Sequence, residues 1–159
     1  MAQSKNISIQ IGVEAILKDV ARRAYTYGDR KTDDERVRWM LQSAIDVGRI
    51  DHIYNAMSNV MEEIESACEP YIIECAVDEY SESGVIEIVF LLPENTSART
   101  KARAERLIRS ALVEGCMAVW KEIMLDDASL EVMKMNKMIW ELKVLVNTRI
   151  GVQKLDCLI

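Results

Sequence analysis

The chain has 159 residues, a mass of 18.1 kDa, a formal net charge of −6 and an isoelectric point near 4.9. That length allows one domain with a sizeable core, and the acidic balance makes the whole molecule repel nucleic acid and anionic membranes, so either would need a local basic patch. Half of the residues are hydrophobic, yet only two prolines and six glycines punctuate them, which argues against many short strands and for long helices.

Residues 1–6 are polar. Ile7, Ile9, Ile11 and Val13 alternate like a short strand, whereas Ile16, Leu17, Val20, Ala21, Ala24 and Tyr25 have helical spacing. The expected helix runs from about residue 9 or 10 to Tyr27, with an extended lead-in as the variant reading, and Gly28 is expected to stop it as a left-handed cap. Thr32-Asp33-Asp34-Glu35 has the form of a capping box and opens a helix that Gly48 closes or kinks. From Ile50 to about Cys68 the helical spacing resumes, with Ile53, Met57, Val60, Met61 and Ile64 inside and Glu62, Glu63, Glu65 and Glu69 outside.

Pro70 ends that helix and the period changes to two. Tyr71, Ile73, Cys75 and Val77 are expected to share one strand face, and Ile86, Ile88, Phe90 and Leu92 one face of the next, around the turn Ser81-Glu82-Ser83-Gly84. The second strand is also apolar on its outer face, through Val85, Val89 and Leu91. So apolar a two-stranded ribbon calls for a further strand, supplied by the Ile7 segment or by residues 152–159, from the same chain or a neighbour.

The longest feature is a helical pair over about residues 95–146. Its first arm follows Pro93 and buries Ala104, Ile108, Ala111, Leu112, Cys116, Val119 and Ile123. Gly115 within that stripe predicts the close approach of another backbone. The second arm begins at Asp127 or Ser129, and Val132, Met135, Ile139, Leu142 and Val146 follow with 3-4-3-4 spacing. This seam closes either an antiparallel hairpin inside the core or a contact between subunits. Met133 and Trp140 beside it predict burial on two sides. Residues 147–151 read as a stop.

The expected fold is therefore mainly α: a helical bundle with a central two-stranded hairpin and a long C-terminal helical pair. It forms a single domain over residues 1–159 with arm-like ends at 1–8 and 150–159.

Chemistry is sparse. His52 is the single histidine, which leaves no usual metal spacing, and phosphate loops, EF-hands and nucleophile elbows are absent. Acidic groups at residues 62–69, 78–82 and 126–127 read as solvated faces and turns. Neither catalytic, cofactor nor metal residues are assigned. The four cysteines lack C-x-x-C spacing and no secretory leader precedes them, so reduced thiols in a cytoplasmic or virion-assembled protein are expected. No run of eighteen apolar residues predicts a membrane span.

One surface stands out. Arg99, Arg103, Arg106 and Arg109, with Lys101 nearby, place positive charge on the first half of a helix, against its dipole, and so invite an anionic partner. An acidic face such as residues 62–69 of the same or an adjacent subunit is the first candidate. Nucleic acid could enter only through this stripe, and no aromatic residue alternates with the arginines to stack bases. The expected function is a non-enzymatic assembly subunit, homo-oligomeric or in contact with other assembly proteins, with Val85, Val89, Leu91, Val132, Met135, Ile139, Leu142 and Val146 as interface candidates. In outline, small acidic helical proteins with a hairpin and extensible ends are similar to subunits of the rings that join a tailed-phage capsid to its tail; the likeness rests on fold class and carries no residue positions. The alternative is a small cytosolic adaptor that binds a protein or acidic ligand through the arginine stripe. An enzyme with an unrecognised site is the third reading.

Overall fold

A computed structural model describes residues 4–31, 49–77 and 80–156. The expected capping-box helix from Thr32 and the stop at Gly48 lie outside these residues, as do residues 1–3 and 157–159. In order, the elements are β1 (Ser4–Gly12), α1 (Val13–Lys31), α2 (Ile50–Cys68), β2 (Ile72–Val77), β3 (Val85–Pro93), α3 (Ala98–Ile123) and α4 (Ser129–Asp156). The fold is mainly α, and its hairpin is part of a three-stranded antiparallel sheet with the order β1-β3-β2.

β3 takes the centre because it is the most apolar strand, and a central strand is paired on both edges. Its Ile86, Ile88, Phe90 and Leu92 are buried, and Ile11, Ile9 and Ile7 stand opposite the first three of these on β1. The Ile7 segment of the same chain is thus the third strand. Strand period prevails over helical period as far as Gly12, beyond the expected start of the helix at 9 or 10. Val13 then donates its N–H to the Gly84 carbonyl at 2.9 Å and α1 begins. Residues 4–8, expected as part of an arm, are paired along β3.

The face of β2 differs from the simple alternation. A register shift between Ile72 and Glu74 inserts one residue, so Ile72 turns to the core with Cys75 and Val77 while Ile73 is 51% exposed. A bulge of this kind exchanges the faces of a strand on its two sides.

α3 is the central helix. Residues 111–118 are all buried, because α1, α2, α4 and the sheet pack around it. Ser97 caps it, accepting the Thr100 N–H at 3.3 Å. Gly115 marks a close approach, but of side chains rather than backbone: a Cβ there would stand 2.3 Å from Val60 Cγ2 and 3.2 Å from Met135 Sδ.

α3 ends in a Schellman motif. Leu125 N–H donates to the Glu122 carbonyl at 3.0 Å and Asp126 N–H to the Lys121 carbonyl at 2.9 Å, with Leu125 at φ 57°, a position glycine usually takes. Asp127 then caps α4, its carboxylate accepting the Ser129 N–H at 2.9 Å and the Ser129 hydroxyl. These bonds hold the Asp127 carboxyl below its usual range. Lys121 completes the corner, 2.7 Å from buried Glu131 and 4.8 Å from the centre of the Tyr27 ring, which meets Trp120 edge-on. This cluster ties α1, α3 and α4 together.

Two expected stops do not occur. α1 continues through Gly28 to Lys31, without positive φ at any described glycine, and α4 continues through residues 147–151 to Asp156. Glycine costs a helix about 1 kcal/mol but does not end one unless the chain turns left-handed.

Candidate functional site

The seam on α4 is closed within the chain. Met135, Ile139, Leu142 and Val146 are buried in the common core, so the antiparallel hairpin is the arrangement found and only Val132 reaches the surface. Met133 and Trp140, expected to be buried on a second side, are each 63% exposed. With exposed Leu130 and Val144 they mark a second 3-4-3-4 stripe on the outer face of α4, in which Lys137 takes the middle position. Sequence reasoning noticed two of its members but not the stripe, because its apolar period is interrupted by that lysine. The outer face of the sheet carries Val85 and Leu91 exposed and Val89 half-buried, crossed by Glu87, whose carboxyl is held low by hydrogen bonds from Ser8 and Gln10.

The five cations of the basic stripe do not share one site. Arg99, Arg103 and Arg106 line a groove of about 390 Å³ that also contains Leu107 and Glu141. Arg106 and Arg109 also line a cleft of about 310 Å³ with Asp19, Arg22 and Arg23 of α1 and Glu114. Lys101 is exposed and borders neither.

In the cleft the charges are largely committed. Arg23 holds buried Glu114 with two parallel bonds of 2.7 and 3.0 Å. Asp19 accepts Arg109 Nη2 at 2.6 Å and Arg22 Nη2 at 2.9 Å. Arg23–Glu114 and Arg109–Asp19 fasten α1 to α3, and four guanidiniums against two carboxylates leave the cleft positive. Two fixed helices, rather than a sequence motif, bring Arg22 and Arg23 to Arg106 and Arg109.

A groove of opposite character lies beside α2, where Glu62, Glu65 and Glu69 are exposed around about 390 Å³ with Ser66 and Ile72. The two grooves share no lining residue: Glu141 of α4 enters the arginine groove, whereas the glutamate groove is lined by the end of α2, Glu69 and Ile72.

Burial pushes the Cys116 thiol up to about 12 and the Cys68 thiol up to about 11, away from the reactive thiolate. His52 is exposed on α2. No group of three or more metal-ligating side chains stands together among the described residues, and none of their helices is long and apolar enough to cross a membrane. Compared with protein-family models, curated proteins and solved structures, the chain matches none.

Proposed function

We propose that this chain is a non-enzymatic assembly subunit that associates with further copies of itself, and that the outer face of α4 is covered in the assembly. The observation that carries this reading is the exposure of Met133 and Trp140, 63% each, seven residues apart on one helix face and flanked by Leu130 and Val144. Large apolar side chains gathered on one rigid face mark an interaction surface, whereas scattered ones do not. Tryptophan and methionine are also among the residues enriched at interfaces. Within that class, the particular reading is a ring subunit of the kind that joins a phage capsid to its tail, a reading that rests on likeness of fold class alone.

Absolute mass by light scattering at two concentrations and two salt levels is the test. A defined multimer is expected for the wild type, and Trp140→Glu is expected to lower the mass without loss of helical content, since Trp140 does not contribute to the core of the single chain. A wild-type monomer in all conditions, or a Trp140→Glu variant with wild-type mass, would overturn the reading. The positive cleft between α1 and α3 favours the adaptor as the second reading. It predicts a monomer that binds an acidic peptide, with binding lost in Arg106→Ala.

A further inference from the structure

The arginine groove and the glutamate groove have matching spacings. Arg99, Arg103 and Arg106 follow each other on α3 at steps of four and three; read in reverse, Glu69, the residue that ends α2, and Glu65 and Glu62 on α2 have the same steps. All six side chains are exposed, and none of them makes an ion pair among the described residues. Each row spans about 10 Å along its helix at 1.5 Å per residue.

We infer that the arginine row of one copy docks antiparallel on the glutamate row of the next, pairing Arg99 with Glu69, Arg103 with Glu65 and Arg106 with Glu62. This rests on the self-assembly reading and adds the contact that propagates it. The occupant is a second copy because the charge, the number of groups and the order of the steps agree. Leu107 and Ile72, both packed on the core, also line the two grooves. Glu141 borders the arginine groove and offsets part of its charge, which leaves the arginines in excess. Such a contact is heterologous: each copy offers a different surface on either side, so copies follow head to tail and close into a ring when the rotation permits. Ion pairs of this type set register and encounter rate more than raw affinity, and salt weakens them.

The test uses the full chain in three variants: Arg103→Glu, Glu65→Arg and the double variant Arg103→Glu/Glu65→Arg, with mass measured by light scattering and helicity by circular dichroism. Either variant alone places like charges opposite each other, and association is expected to weaken about tenfold or more. In the double variant the reversed charge of one copy faces the reversed charge of the next, so that every contact again joins opposite charges whatever the number of copies, and the wild-type mass returns. Arg99→Glu with Glu69→Arg provides a second pair should one variant lose helical content. A wild-type multimer whose mass is unchanged by the single reversals, or a double variant that fails to recover, overturns the docking while leaving self-assembly intact. A monomeric wild type overturns both.

Discussion

Gly115 sits where three helices meet, and replacing it with alanine separates two opposing effects. In a helix interior alanine is favoured over glycine by about 1 kcal/mol. Here the added methyl would stand 2.3 Å from Val60 Cγ2, more than 1 Å inside ordinary carbon contact. Val60 is β-branched and buried on α2, so its rotamer has little freedom to yield. Overpacking of this kind costs about 1–3 kcal/mol. The contact belongs to the upper half of that range, so Gly115→Ala is expected to destabilise by about 1–2 kcal/mol after the helix gain is counted. For a chain of this size that lowers the melting temperature by about 3–6 °C. Val60→Ala alone should cost about 2 kcal/mol through lost burial. The double variant should be more stable than the two losses added, because the truncated valine makes room for the new methyl. Urea denaturation of all four chains gives the cycle. If Gly115→Ala were more stable than the wild type, or the two losses simply added, the close packing of α2 on α3 would be refuted.

Leu125 is 95% exposed and holds a left-handed conformation that costs a non-glycine residue about 1–2 kcal/mol. Leu125→Gly should therefore stabilise by about 0.5–1 kcal/mol after the larger chain entropy of glycine is subtracted, read from the urea midpoint; a loss of stability would contradict the Schellman turn. Arg23→Ala leaves buried Glu114 without its bidentate partner and should cost about 2 kcal/mol, part of which Glu114→Gln in the same chain restores. Equal stability of Arg23→Ala and the wild type would show that this pair does not fasten α1 to α3. The buried thiols predict an alkaline dependence. The unfolded chain releases these protons near pH 9, whereas folded Cys68 and Cys116 keep them to about 11 and about 12. Their contribution is whole below about 9 and is lost as pH rises to about 12. Cys68→Ala/Cys116→Ala should show a smaller alkaline fall in melting temperature than the wild type, and an identical fall would refute the assignment.

What was legible in the sequence was whatever a local period could encode. The 3–4 spacing from Ala104 to Cys116 and from Met135 to Val146 identified the buried faces of α3 and α4, and Pro70 and Pro93 marked where helix gave way to strand and strand to helix. Period two likewise exposed the core face of β3. The arginine row and the glutamate row were both visible as charge patterns, since a helix of known period fixes which residues share a side.

Other features depended on partners distant in the chain. Ile7, Ile9 and Ile11 suit a strand or a helix lead-in equally, and the choice was made by β3, which lies about eighty residues later and offers them hydrogen bonds and an apolar face. The inserted residue in β2 arises from its pairing with β3, so alternation alone placed Ile73 inside when it is outside. The seam on α4 could have faced a partner chain; α2 and α3 cover it instead, leaving Met133 and Trp140 on the surface. Local periodicity states which side of an element is apolar, because side-chain direction repeats with the backbone. Which apolar sides meet is decided only by three-dimensional packing, where burial free energy depends on area that residues far apart in sequence remove from water together.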